Sequence, residues 1–188
     1  MSKFQVMKEG GKRLRKVKQT VAAAVKPGVK LIELEQLADS LINKSGGEAA
    51  FKQVPGYRWA TCININEGVV HGIPNEYEIK DGDVVSVDVG IIYQGWYTDT
   101  STTVIAGKFD NRKKKLIEVG REALALAIKE ARLGNRIGHI SGAMEEALRA
   151  GGMSPVKRYT GHGIGRRLHE WPSIPCFKEV NIEQTPLI

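Results

Sequence analysis

The sequence predicts an α+β fold made of two similar halves. Three observations carry that expectation. Apolar residues recur with helical spacing in two successive pairs of segments. Stretches rich in Val, Ile, Thr and aromatic residues follow each pair, as strands would. The order helix, helix, strands therefore occurs twice, which is what a duplicated unit would give. The first half is placed at about residues 1–110 and the second at about 111–188 of one 188-residue domain. The second half is the shorter one. After "SPVKRYT" its pattern calls for a closing hairpin, and the chain instead runs "PCFKEVNIEQTPLI".

In order along the chain, residues 5–25 read as a basic helix that stops before "KPGV", where Pro27 and Gly28 break it. Leu34, Leu37, Ala38, Leu41 and Ile42 fall on one face of a second helix, with Gly46 past its end. Short strands are expected at "AAFKQV", "TCININ" and "GVVHGI". A hairpin then joins "DVVSVDVGII" to "WYTDTSTTVIAG". A loop covers residues 107–111 and a long helix runs from about Lys113 to Arg132. Another helix follows Gly134-Asn135, with Ile137, Ile140, Met144 and Leu148 on one face. The strand "SPVKRYT" and the glycine-rich "GHGIG" come next.

Composition narrows the class. Hydrophobic residues at 41% and charged residues at 26% are ordinary globular values. A net charge of +7 suits a protein that meets a polyanion such as the ribosome or nucleic acid, although a basic solvated surface gives the same number. The basic runs "GGKRLRKVK" and "NRKKK" sit at helix starts and are not interleaved with aromatics, which argues against sequence-specific nucleic-acid binding. There is no apolar stretch of membrane-spanning length and no signal-peptide core at the N-terminus. Cys62 and Cys176 lie far apart and imply neither a disulfide scaffold nor a zinc knuckle. A cytoplasmic location is the default expectation.

The hairpin carries two aspartates, Asp88 and Asp99. If it turns about Tyr93-Gln94, the two stand directly opposite on one face, with Cβ atoms roughly 4.5–5.5 Å apart, and Val85, Val87 and Val89 point to the other face. Directly opposed like charges call for a neutralising partner, and a divalent cation is the best one. A solvated polar face is the alternative. Four histidines occur: His71, His139, His162 and His169. His139 lies on a helix and reads as a packing or surface residue. His162 sits between two glycines, where backbone can approach a ligand closely. Imidazole with carboxylates suits a first-row divalent metal, and such an ion would lower the pKa of water towards about 7 and polarise a carbonyl. "HEWPS" is not a zincin motif, "GHGIG" is not a dinucleotide fingerprint, and "GGK" is not a Walker A loop.

"CININEGVVHGIP", "DGDVVSVDVGIIYQGWYTDTSTT", "GHGIGRRLHEWPSIP" and opening helices joined by "VKPGV" together resemble the type I methionine aminopeptidase family over residues 4–180. The resemblance implies the pita-bread fold, with two pseudo-symmetric halves and an incomplete second half. It implies removal of initiator methionine from nascent proteins when the next residue is small, by metal-activated water attack. The implied metal ligands are Asp88, Asp99 (the bridging one) and His162, holding up to two ions of Mn, Fe, Co or Zn. His71 corresponds to the histidine that contacts the scissile amide, and His169 to the one that steadies the carbonyl oxygen. Tyr57 and Cys62 correspond to the wall of the methionine pocket. Leu168 stands where the family often has an aromatic, and Asn66 matches a position near a monovalent cation in some members. The implied partners are nascent peptide N-termini, with the ribosome a candidate and a monomer the expected state. The family completes its site with two glutamates, one of them its general base, in late strands. Glu170, Glu179 and Glu183 lie too early to be these, so a chain of this extent is expected to be inactive or weak. The rival expectations are a non-catalytic pita-bread module that binds a protein or RNA, and an aminopeptidase P or prolidase relative.

Overall fold

The computed structural model describes residues 2–108, 110–178, 181–182 and 185–188. Glu179 and Glu183 lie outside the described residues. The chain divides into two compact units, one of residues 1–113 and 164–168, the other of 114–163 and 169–188.

In the first unit, helix α1 spans Lys3–Ala24 and α2 spans Leu31–Lys44. Ser2 and Gln5 form a reciprocal capping box at the start of α1. Gly28, at φ +89°, turns the chain between the helices, and its N–H donates to the Ile79 carbonyl at 2.8 Å. The strands are β1 (Glu48–Ala49), β2 (Thr61–Ile65), β3 (Val84–Tyr93) and β4 (Trp96–Ile105). β3 is central: β4 runs antiparallel along one edge, while β2 and then β1 share the other. One face of β3 presents Val85, Val87, Val89 and Ile91, all without solvent exposure. They meet Leu14, Val17 and Val21 of α1 and Leu34, Ala38 and Ile42 of α2 in one core. Each of the Val, Leu and Ile side chains contributes about 1.5–3 kcal/mol on burial. This is the face expected for the three valines.

Several expectations need correction. The hairpin turns at Gln94-Gly95, not Tyr93-Gln94, and Tyr93 pairs with Trp96. Both turn residues have positive φ, 49° and 75°, as a two-residue hairpin turn of the type that matches strand twist requires. A turn one residue earlier would force Tyr93 into that region and take Gly95 out of it. The segment "AAFKQV" is strand only as far as Ala49; residues Ala50–Gln53 form a 3₁₀ turn. "GVVHGI" is loop, because His71 is left-handed at φ 58° and the strand pattern cannot pass through it. In "SPVKRYT" only Thr160 is in a strand.

In the second unit, α3 (Asn111–Glu130) and α4 (Ile137–Ala150) accompany a two-stranded sheet of β5 (Thr160–Gly163) and β6 (Glu170–Pro175). Three α3 residues lie in the first unit by the division above. "GHGIG" is thus strand at its start, because its glycines permit close backbone approach. A Cβ on Gly163 would lie 2.3 Å from the Trp171 carbonyl oxygen. Ala127, Ile137 and Ile140 form the buried cluster, with Met144 and Ile174 against it. The Ile137 N–H donates to Pro186 and the Ile188 N–H to Asn135, both at 2.9 Å. Among the described residues no helix is long and apolar enough to cross a membrane.

The connection from β2 to β3 is tied down by buried Asp83. Its carboxylate accepts from the Lys80 N–H, Asn66 Nδ2 and the Tyr77 hydroxyl, each at 2.9 Å. Burial pushes this carboxyl up, but the hydrogen bonds outweigh it and hold the pKa below the ordinary value. A depressed pKa contributes stability that is present above the unfolded value, about 3.9, and is lost as pH falls through the folded one. Asp83→Asn is therefore expected to cost about 1–3 kcal/mol near pH 7. Urea melts should show the gap from wild type narrowing as pH drops below about 4.

Candidate active site

The face of β3 and β4 opposite the valines carries both aspartates. Asp88 pairs with Ser101, and Asp99 pairs with Gly90. The two carboxylates share a face, as expected, but they are diagonal neighbours two residues out of the expected pairing. At that offset residues lie about 7–8 Å apart, their Cβ atoms somewhat less, so direct like-charge opposition is avoided. Both residues are half-buried. On the other edge of β3, Cys62 of β2 pairs with Asp88, so Cys62, Asp88 and Ser101 form one row across three strands. Gly90 is required beside them: a Cβ there would lie 2.8 Å from the Phe51 ring. From the neighbouring α1, Lys18 Nζ donates to Thr100 Oγ1 at 2.8 Å and to the Ser101 carbonyl at 3.2 Å. Burial and Arg15 lower the Lys18 pKa, and the charge of Asp88 acts in the other direction.

A wall of side chains adjoins this row. Ala50, Phe51, Cys62 and Leu168 are buried together, with Tyr57 and Ile164 packed against them. Leu168 thus fills its position as an aliphatic part of the wall. The Tyr57 hydroxyl donates to the Thr61 carbonyl at 2.7 Å and lies 3.2 Å from Cys62 Sγ. Burial, then the contact with Cys62, raises the Tyr57 pKa. Burial also pushes the Cys62 thiol up to about 11, and the charges of Asp88 and Glu35 add to this. The thiol is therefore a neutral packing group at physiological pH.

Glu35 holds this wall in place, and the sequence reading missed it. Its carboxylate is buried and accepts from the Ala60 N–H at 2.6 Å, the Thr61 N–H at 2.9 Å and Thr61 Oγ1 at 2.6 Å. The usable signal was its place on the apolar stripe of α2, one turn after Leu31 and one turn before Asp39, beside Leu34 and Ala38. A carboxylate on a buried stripe implies donors waiting for it.

The histidines divide between the units. His71 lies exposed on the loop after β2. His162 and His169 belong to the second unit, with ring centroids 4.4 Å apart and planes at 76°. A register shift between His162 and Gly163 lets Gly163 pair with Glu170, next to His169. His162 Nδ1 lies 2.9 Å from the Gly163 carbonyl oxygen. A carbonyl only accepts, so this contact puts the hydrogen on Nδ1 and the lone pair on Nε2, the nitrogen a metal would use. His139 Nδ1 accepts from the Arg136 N–H at 2.9 Å, a helix-start role that fits a structural residue. Between His162 and His169, residues 164–168 join the first unit: Gly165 accepts from the Tyr97 N–H at 2.8 Å, and Arg166 lies 4.0 Å over the Trp96 ring.

The first unit thus gathers Asp88, Asp99, Cys62 and Tyr57, and the second gathers His162 and His169. Hard carboxylate oxygens suit a divalent cation in kind, but not yet in number. Among the described residues no group of three or more His, Cys, Asp or Glu side chains is assembled to hold a metal ion. Residues 5–186 match the family model of metallopeptidase family M24. The chain belongs to that family. It is 35% identical to a methionine aminopeptidase of Clostridium perfringens over 176 residues, covering 94% of this chain and 71% of that protein. Methionine aminopeptidase 1 of Bacillus subtilis is 36% identical, with the same coverage of both chains. The crystal structure of the Thermotoga maritima methionine aminopeptidase superposes with a TM-score of 0.93 at 38% identity, covering 98% of this chain and 74% of that one. Prolidase from Pyrococcus furiosus, at 22% identity and a TM-score of 0.82 over 95% of this chain and 52% of its own, shares the fold. The M24 chain described here therefore has the pita-bread fold of those enzymes. Family membership also implies divalent metal ions.

Two outcomes follow from the wall. Glu35→Leu strips acceptors from buried Ala60 and Thr61 and is expected to cost about 3–5 kcal/mol in urea melts. Peptide mapping after iodoacetamide treatment at pH 8 should find Cys62 almost unlabelled in the folded protein and fully labelled in urea.

Proposed function

We propose that the protein is a metal-dependent methionyl aminopeptidase that removes initiator methionine from nascent chains when the next residue is small. The observation that carries this is the placement of Asp88 and Asp99 on one face of the β3–β4 hairpin, in a row with Cys62, in a chain of the M24 family. The proposed ligands are Asp88, Asp99 and His162, which would hold up to two divalent ions. When bound, manganese, iron, cobalt or zinc would supply Lewis acidity and a reactive water at neutral pH. The protein's own groups do the rest. Tyr57 and the neutral Cys62 thiol line the site for the methionine side chain. His71 contacts the scissile amide, and His169 steadies its carbonyl oxygen. The Gly163 carbonyl fixes the His162 tautomer and so leaves Nε2 as the nitrogen that would bind a metal ion. A cytoplasmic, monomeric protein acting on nascent N-termini, near the ribosome, completes the proposal.

Asp99→Ala and Asp88→Ala should each weaken binding of manganese or cobalt by at least tenfold in titration calorimetry. Unchanged metal affinity in both variants would remove the metal assignment, and high-affinity RNA or protein binding without metal would favour a binding module. A polypeptide of these 188 residues contains no counterpart of the two glutamates that the resemblance implies. Its hydrolysis of Met-Ala-Ser is expected to be about 10²–10⁴-fold slower than that of the Thermotoga relative, the usual worth of a general base. Rates matching that relative would show that those glutamates are dispensable. Where the protein is active in cells lacking other methionine aminopeptidases, mass spectrometry should find Ser2 at its N-terminus; retained Met1 would contradict the specificity.

A further inference from the structure

His71 is one of only three non-glycine residues with positive φ among the described residues, at 58°. Asn66 at 52° and Gln94 at 49° are the others, and each serves a turn beside a strand end. The loop that carries His71 is fixed at two places. At its start, Asn66 Oδ1 accepts from the Val84 N–H at 3.0 Å, and Asn66 Nδ2 donates to Asp83. At its end, both backbone groups of Gly72 are bound to β2. The Gly72 carbonyl accepts from the Ile63 N–H at 2.9 Å, and the Gly72 N–H donates to Asn64 Oδ1 at 3.0 Å. The approach is so close that a Cβ on Gly72 would lie 2.1 Å from the Ile63 carbonyl oxygen and 2.8 Å from Asn64 Oδ1. Between these anchors, Val69, Val70 and His71 are exposed.

Asn64 is the anomaly here. It is 7% exposed and lies in a strand whose other members are apolar or hydrogen-bonded inside the core. A buried carboxamide is unfavourable unless its polar atoms are met, and the Gly72 N–H meets its oxygen. A chain running on as a second strand would offer that N–H to a backbone carbonyl. At His71 the chain turns left-handed instead, and a side chain takes the carbonyl's place. We infer that Asn64 is a positioning residue for His71: its carboxamide locks Gly72 against β2 and so holds His71 in its left-handed conformation. The link from that conformation to substrate rests on the aminopeptidase reading; the lock itself does not.

Isotope-labelled protein tests the lock by NMR. Asn64→Leu keeps the size and removes the acceptor, and Asn64→Asp keeps the acceptor. In N64L the Gly72 amide should exchange about tenfold faster, a loss on the scale of one hydrogen bond. The His71 Cα and Cβ shifts should move from left-handed towards extended values, while the amides of β3 and β4 stay put. N64D above pH 7 should restore both signals. Unchanged Gly72 exchange and His71 shifts in N64L would overturn the inference, as would a loss spread over the whole sheet that N64D does not repair. If N64L does not fold, Gly72→Ala attacks the same contact from the loop side, and unaltered His71 shifts there would equally overturn it. Titration with L-methioninamide in the presence of zinc separates the two claims. Wild-type His71 ring signals should respond, and those of N64L should respond at least tenfold more weakly. A wild type whose ring signals never respond would remove the substrate reading and leave the lock to be judged on exchange and shifts alone.

Discussion

Val85, Val87, Val89 and Ile91 have no solvent exposure, and keeping them buried fixes where the alternate residues of β3 must point. Side chains in a strand change face at every step. With one face of β3 committed to α1 and α2, Asp88 and Gly90 are committed to the other. The same constraint passes across the hydrogen bonds to Cys62 on β2 and to Ser101 and Asp99 on β4. A slip of one residue would drive the aspartates into the core and expose the valines. A slip of two leaves every side chain on its face. That is why alternation alone placed Asp88 and Asp99 on one face while the turn, read one position early, gave them the wrong neighbours.

Periodic features were legible in the chain. The helical stripe at Leu34, Ala38 and Ile42, the alternation through β3 and the breakers at Pro27-Gly28 each state their structure locally. The misread features depend on partners outside their own segments. "GVVHGI" has strand composition, yet Gly72 spends its backbone groups on Ile63 and on the Asn64 side chain. "GHGIG" has loop composition, yet Gly161 and Gly163 are strand residues because β6 lies too close for a side chain. Phe51 leaves the strand path and packs where Gly90 leaves room for its ring. Residue types marked the candidate aspartates and histidines, but nothing local showed how the chain distributes them between two units.

Buried polar residues do a second kind of work in the first unit. Glu35, Asp83 and Asn64 each lie under 10% exposure and each accepts from a backbone N–H of an irregular segment, that of Ala60, Lys80 and Gly72 respectively. Irregular backbone has donors that no ladder satisfies. One carboxylate supplies the start of β2, another the approach to β3, and one carboxamide supplies the loop between them. Each of these segments therefore has a side-chain anchor where no strand partner supplies one. Tyr57, Cys62 and His71 all sit on or beside segments anchored in this way.

The assignment of residues 164–168 to the first unit has a consequence for synthesis on the ribosome. Leu168 completes the buried cluster around Cys62 and Phe51, and Gly165 accepts from Tyr97. Those residues follow the intervening segment 114–163, which belongs to the second unit. At about 5–20 residues per second, that segment alone occupies several seconds of translation. Throughout that interval the cluster around Cys62 lacks Ile164 and Leu168. Closing the wall then requires bringing together residues separated by the whole intervening segment, a step whose entropy cost grows only logarithmically with the length looped out. The wall around Cys62 thus waits for a stretch of chain that contributes nothing to it, whereas Val85, Val87, Val89, Ile91 and their helix partners all precede that stretch.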